Sequence, residues 1–246
     1  MFRRLLPLVL LAAALPARAQ LVAYLPLDGN VLDASGHRHT ATVVGAAPTA
    51  AGFRGGAYVF NGTSDYIEIT SLDLNPGVLP QLTMGAWVRP SDISPIRQII
   101  SHDNGSYDRS LGLDARGGVN GWSAFAGSGV LGSEAAVTGD WTFVAVAYDQ
   151  ASASATLFVN DRVFTLAGSA ALGTGWTYTR IGMNPSYGEY FAGTIDEVFF
   201  FSAALTPAQI AVIRTQGVLA IPEPSTWALL GGGALTLLFL QRRRRA

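Results

Sequence analysis

The sequence predicts an all-β domain of two packed antiparallel sheets, set between two short end segments of different character. Three observations carry this. Between residues 20 and 217 the chain breaks into many short runs of alternating polarity separated by Gly, Pro, Asn and Asp, the pattern of strands and turns rather than helices. Residues 141–148 are apolar on both faces: Trp141, Phe143, Ala145 and Ala147 point one way, and Thr142, Val144, Val146 and Tyr148 the other, as expected of a central strand covered on both sides. Residues 156–160 and 162–166 flank Asn160-Asp161, a tight hairpin turn.

Taken in order, residues 1–19 read as a signal peptide. Arg3 and Arg4 form a positive start, residues 5–15 an apolar run, and Ala17, Arg18 and Ala19 a small-x-small cleavage site. The run is too short to span a bilayer comfortably, since roughly 20 residues are needed. Residues 20–217 form the domain, of a length that suits one large sandwich. Its strands are expected at residues 22–26, 40–44, 57–60, 66–69, 81–89, 97–102, 110–114, 141–148, 156–160, 162–166, 178–182 and 194–201. One helix interrupts them. Thr206 supplies a cap, Pro207 the first helical position and Gln209 the third, and Ile210 and Ile213 an apolar stripe, so a helix is expected over residues 207–215, ending at Gly217. Residues 218–224 are a linker ending in Pro222-Glu223-Pro224, stiff because each Pro fixes its own φ and disfavours helix in the residue before it. Residues 225–246 hold an uncharged stretch, with Gly231, Gly232 and Gly233 in its middle, closed by Arg242, Arg243, Arg244 and Arg245. An apolar run stopped by arginines reads as a transmembrane helix with its positive end in the cytoplasm. At 1.5 Å per residue it reaches about 24 Å, short of a typical hydrocarbon core.

Charge follows the same division. All 16 cations are Arg, and residues 20–221 carry 9 of them against 16 Asp and Glu. The domain is therefore acidic and has no basic run, which excludes an electrostatic grip on nucleic acid. The absence of Cys excludes a disulfide scaffold, a thiolate metal site and a cysteine nucleophile. A chain that is 49% apolar and 13% charged has ample material for a core.

Two resemblances follow from these residues. Asp33-x-Ser35-Gly36, Phe60-Asn61-Gly62, Trp87 with its following turn, and Gly193-Thr194-Ile195-Asp196-Glu197-Val198, in that order, resemble the bacterial laminin-G-like, concanavalin-A-like domain. The resemblance implies a two-sheet antiparallel jelly roll shared with pentraxins and many lectins, a fold that hosts binding modules, enzymes and adhesive domains alike. The Pro-Glu-Pro tripeptide, apolar segment and arginine cluster resemble the PEP-CTERM sorting signal of exopolysaccharide-producing Gram-negative bacteria. That implies an exosortase-type processing partner, transient anchoring in the inner membrane, and delivery to the outer surface or extracellular matrix.

Candidate site residues come from both sources. The laminin-G-like family often holds calcium between its first turn and last strand, so Asp33 and Asp196, with Asn61 beside them in the pattern, are candidate calcium ligands; hard oxygens in flexible loops suit that ion. An Asx-turn for Asp33 and local backbone capping for Asp196 stand as the alternative. Trp122, Trp176, Tyr187 and Tyr190, with Tyr178 nearby, sit in or beside Gly-rich segments, where aromatic faces can stack on sugar rings; covering the core is the alternative use. His37-x-His39 lacks the further ligands that a zinc site needs.

Enzymatic readings find little support. Asp196 and Glu197 are adjacent on a strand, so alternation sends them to opposite faces, and no pair of acids is spaced for glycoside hydrolysis. There is no Gly-x-Ser-x-Gly elbow. The expected protein is thus an exported, non-catalytic surface or matrix protein that binds polysaccharide or adheres. A protein–protein interaction module and a glycan-active enzyme are the alternatives.

Overall fold

The computed structural model of the chain describes residues 19–94, 96–116, 121–127, 129–133, 135, 137–167 and 173–222. The strands are β1 (Leu21–Leu25), β2 (Ala41–Val44), β3 (Ala47–Thr49), β4 (Ala57–Asn61), β5 (Tyr66–Ile69), β6 (Gln81–Pro90), β7 (Arg97–Ser101) and β8 (Ser110–Asp114). They continue with β9 (Gly121–Phe125), β10 (Val130–Gly132), β11 (Thr142–Asp149), β12 (Ser154–Val159), β13 (Arg162–Ala167), β14 (Thr179–Ile181) and β15 (Ala192–Phe201), before one helix, α1 (Pro207–Gln216). They make the antiparallel two-sheet jelly roll. A 7-stranded sheet runs β10-β9-β8-β7-β14-β5-β2, and an 8-stranded sheet runs β13-β12-β11-β6-β15-β4-β3, with β1 also paired to β15.

Strand β15 organises the larger sheet. Its first half pairs with β4 and its second half with β1, while β6 lies along its other edge. The change of partner coincides with a bulge between Asp196 and Phe199, where Glu197 adopts φ 54°. One extra residue on β15 opposes β6 there, which shifts the side chains that follow to the other parity.

Burial fills two layers. Between the sheets lie Ile67, Ile69, Met84, Val88, Leu111, Leu113, Trp122, Val144, Val146, Tyr148, Ile195 and Phe200. On the outer face of the larger sheet, Trp87, Phe143, Ala145, Phe199 and Phe201 are covered by Ile210 and Ile213 of α1 and by Val218 and Ile221 beyond it. This is why residues 141–148 are apolar on both faces: β11 has the intersheet core on one side and the helix layer on the other. The helix starts as its sequence predicts, with Thr206 accepting from Gln209 N and Gln209 accepting from Thr206 N. Asn160, with φ 53°, makes the predicted hairpin turn.

Three strands escape the alternation pattern. β3 is a sheet-edge strand of three residues containing Pro48, a residue that strands tolerate at an edge. β9 and β10 lie among glycines, and β9 is buried on both faces, so it has no polar alternation to read.

One part of the expected fold class is corrected. Among the described residues no helix is long and apolar enough to cross a membrane; α1 has 10 residues and lies against a sheet. The segment read as a transmembrane helix, residues 225–246, lies outside the described residues, as do residues 1–18. Its uncharged stretch is shorter than the roughly 20 residues a span needs and is broken by three glycines, which weaken a helix interior.

Candidate ligand-binding face

The outer face of the smaller sheet, over β14, β5 and β2, is where aromatic and polar side chains meet solvent. Alternation puts them there. Thr179 and Ile181 of β14 and Ile67 and Ile69 of β5 are buried, so Tyr178, Arg180, Tyr66 and Glu68 project the opposite way. Arg180 and Glu68 are cross-strand partners, and Glu68 is opposite Thr42 on β2, with Tyr66 opposite Val44.

The geometry is that of a stacked stripe of aromatic rings and one arginine. Trp176 and Tyr178 stack with centroids 5.6 Å apart and planes at 23°. The Arg180 guanidinium lies 5.2 Å from the Tyr178 ring centroid and 4.4 Å from that of Tyr66, within cation–π range. Its Nε donates to Glu68 Oε2 at 2.8 Å, Nη2 stands 2.8 Å from the same oxygen, and Nη1 reaches Met183 Sδ at 3.5 Å. The arginine is therefore matched in charge and held in place, while Trp176 remains 44% exposed.

Polar groups, among them the buried His102 and Asn75, pin the Trp176 segment. Trp176 N donates to His102 O at 2.7 Å, and His102 Nδ1 lies 3.1 Å from Trp176 O. Burial pushes the His102 imidazole down to about 4, so the ring is neutral at physiological pH and its Nδ1 carries the hydrogen donated to that carbonyl. Asn75 Nδ2 donates to the carbonyls of Gly175 and Trp176, and Asn104 Nδ2 to Thr174 O at 2.7 Å. Trp176 Nε1 donates to Ser186 Oγ at 3.1 Å. Gly175 is required, because a Cβ there would lie 2.5 Å from His102 O and 2.7 Å from its ring.

A polar chain walls the face on one side. Asn184 Nδ2 donates to both Asp103 Oδ2 (3.1 Å) and Glu189 Oε2 (3.0 Å), and Arg116 Nη2 joins Glu189 (2.9 Å) to Asp114 (2.6 Å). Tyr187 stands on this wall, 61% exposed.

The aromatic candidates thus separate. Trp176 and Tyr187 lie at the face. Tyr190 is half-buried, its carbonyl accepting from Arg97 Nη1 at 2.7 Å. Trp122 is fully buried between the sheets and presents no ring to solvent. Tyr66, Glu68 and Arg180 were not among the sequence candidates. Their signal is the short alternation Tyr66-x-Glu68 and Tyr178-x-Arg180 against buried partners.

Backbone donors engage Asp33 and Asn61, and Asp196 through one of its two oxygens. Asp33 Oδ1 accepts from Tyr24 N (3.0 Å) and Ser35 N (2.9 Å), and Oδ2 from His39 N (3.0 Å). Burial raises this carboxyl, but those hydrogen bonds outweigh it and hold the group below its ordinary range. Asn61 Oδ1 accepts from Thr63, Ser64 and Asp65 N–H groups. Asp196 Oδ2 accepts from Phe53 N (2.8 Å) and Arg54 N (2.9 Å), while its buried Oδ1 has no hydrogen-bond partner. Among the described residues no three His, Asp or Glu side chains are grouped where they could hold a metal ion.

Asp196 and Glu197 depart from strand alternation. The bulge turns both toward the outer face, where Glu197 accepts from Tyr24 OH (2.7 Å) and lies 3.9 Å from Arg54 Nε. Burial first, then the neighbouring Glu197 charge, pushes Asp196 up to about 7 against the lowering hydrogen bonds. Burial also raises Glu197. Their surroundings are structural: Arg54 also donates to the last carbonyls of α1, at Arg214 and Thr215, and Phe53 stacks on Trp87 at 3.4 Å. The pair ties β15 to the helix layer. A separate hollow of about 550 Å³, lined by Asp28, Thr49 and Gly56 among others, includes no residue of the aromatic stripe.

Comparison with known proteins agrees with this architecture. Residues 61–211 match the concanavalin A-like lectin/glucanases superfamily. The chain belongs to that superfamily. Residues 220–245 match the PEP-CTERM protein-sorting motif, so a lectin/glucanase-like jelly roll is fused to a signal that implies export to the surface or extracellular matrix. Pro222 is exposed at the end of the described chain; Glu223, Pro224 and Arg242, Arg243, Arg244 and Arg245 lie outside it. No curated protein matches the chain. Similar solved structures include domain 4 of AbnA, a GH43 extracellular arabinanase from Geobacillus stearothermophilus, in complex with arabinotriose (TM-score 0.63, 21% identity, 81% of this chain and 100% of that one). They also include the binding domain of botulinum neurotoxin DC in complex with SialylT (TM-score 0.62, 10% identity, 81% of this chain and 51% of that one) and with rat synaptotagmin II (0.61, 11%, 81% and 52%). The chain thus spans about half of those neurotoxin chains. At these identities the likeness shows the fold of this superfamily member.

Proposed function

We propose that the protein is an exported, non-catalytic surface or matrix protein of a Gram-negative bacterium, and that its jelly roll binds carbohydrate on the outer face of the smaller sheet. The observation that carries this is the stripe of Trp176, Tyr178, Arg180 and Tyr66, held rigid by His102, Asn75 and Glu68. A sugar ring has an apolar face that packs on aromatic planes, and a preorganised platform loses little entropy when it binds. Because Glu68 already neutralises Arg180, the face suits neutral glycans better than acidic ones. The non-catalytic reading rests on the engagement of the carboxylates at this face: Glu68 pairs with Arg180, and Asp103, Glu189 and Asp114 bond to Asn184 and Arg116. The match to the sorting motif supports an exosortase-type enzyme as the partner that processes the chain near residues 222–224.

The similar structures with arabinotriose and SialylT support a sugar-binding use of the fold, and the synaptotagmin II complex supports a protein-binding one. Binding of the purified exported chain to an array of neutral and acidic polysaccharides tests the choice. Retention on neutral polymers that is lost in Trp176→Ala is the expected result. A folded chain that is retained on no polysaccharide and instead captures a surface protein would replace this reading with the protein-interaction one.

A further inference from the structure

The first residue after the predicted cleavage site, Gln20, is held in an unusual way for a chain end. Its carbonyl accepts from Ser202 N at 2.9 Å and Ser202 Oγ at 3.5 Å, which ties it to the residue following β15. Its exposed side-chain amide nitrogen, Nε2, lies 3.2 Å from Nε2 of His37, across a separation of 17 residues. His37 is itself exposed on the turn after Gly36, where its backbone N–H donates to Ser35 Oγ at 3.3 Å. A sequence reading of this turn assigns His37 no role.

We propose that Gln20 is a modification site: once cleavage after Ala19 frees its α-amine, it closes to pyroglutamate, with His37 handling the proton of the departing amide nitrogen. The neutral α-nitrogen attacks Cδ of the same side chain and forms a five-membered lactam. The Cδ–Nε2 bond breaks, and Nε2 leaves as ammonia, carrying the proton that the α-nitrogen sheds. No oxidant, cofactor or second substrate is needed. An imidazole in contact with the leaving nitrogen can take the proton from one nitrogen and deliver it to the other, the ordinary task of a histidine general acid–base. The hydrogen bonds from Ser202 hold the residue beside that ring, so the reaction has the advantage of proximity. The product is an uncharged N-terminus that ordinary aminopeptidases cannot open. That would suit a protein whose working place is outside the cell.

The inference depends on residues 1–19 leaving as a signal peptide, and the experiment reports that step separately. The full chain is exported from a Gram-negative host, and its N-terminal peptide is measured by mass spectrometry at intervals after a pulse of synthesis. The expected peptide begins at residue 20 and is lighter by one ammonia than its Gln-initiated form, and pyroglutamyl aminopeptidase removes its first residue. In His37→Ala, cyclisation should be at least about tenfold slower, with an unchanged melting temperature because His37 is exposed. A persistent free Gln20 amine, an N-terminus at another residue, or equal rates in the wild type and His37→Ala would each overturn the proposal.

Discussion

Asp196→Asn should flatten the pH dependence of stability. Asp196 is wholly buried, and its carboxyl is pushed from 3.8 up to about 7. The folded state therefore holds a proton across that window when the unfolded chain does not. Proton binding is greater in the folded state, so stability is full below the unfolded value and is lost as pH rises through the folded one. Each pH unit inside the window is worth about 1.4 kcal/mol, so between pH 5 and pH 7 the loss is on the order of 2 kcal/mol. For a chain of this size that is a fall in Tm of roughly 4–8 °C. Glu197, raised by burial, acts with the same sign. Asp33 is lowered, and its contribution is lost only as pH falls below the ordinary carboxylate range, outside the window. The asparagine keeps one oxygen to accept from Phe53 N and Arg54 N and cannot ionise. Thermal unfolding of the wild type and Asp196→Asn at pH 5, 6, 7 and 8, in chelating buffer, measures the effect. The variant should lose most of the slope and be the more stable protein at pH 8. An identical slope in both proteins would refute the assignment of the titration to this residue.

Three further outcomes follow from the geometry. Gly175→Ala should cost about 1–3 kcal/mol through overpacking against His102, read as a lower denaturation midpoint together with a change in Trp176 fluorescence. Thr206→Ala removes the helix cap and should cost about 1 kcal/mol, loosening the α1 layer, which hydrogen exchange at residues 210–216 would show first. Adding calcium or a chelator should leave Tm unchanged, since Asp33 and Asn61 already bond to backbone donors; a calcium-dependent rise in Tm would show a site that these residues do not account for.

Much of this fold was readable because two-residue periodicity survives wherever one sheet face meets solvent, as in Tyr66–Ile69, and because the double-apolar run at 141–148 marks a strand with a layer on each side. The cap at Thr206 and the turn at Asn160 depend on local chemistry alone and stand where the sequence places them. Other features depend on tertiary context. The bulge at Glu197 breaks the alternation that would have separated Asp196 from Glu197, and it arises from the handover of β15 from β4 to β1, which no local pattern encodes. Trp122 and Trp176 both neighbour glycines, yet one fills the core and the other is exposed, because residue 122 faces inward from a buried strand and residue 176 lies in a segment pinned from below by His102. Arg180 and Glu68 are 112 residues apart, so their pairing emerges only with the sheet.

Neutral glycan is the ligand proposed for the Trp176–Tyr178–Arg180–Tyr66 face. The most direct test of this proposal is calorimetric titration of the purified full chain, alongside Trp176→Ala and Tyr178→Ala, with the neutral oligosaccharide best retained in the array. Each variant should lose at least tenfold in affinity, about 1.4 kcal/mol, at unchanged Tm. Undiminished affinity in both variants, with the wild type binding the same sugar, would contradict it.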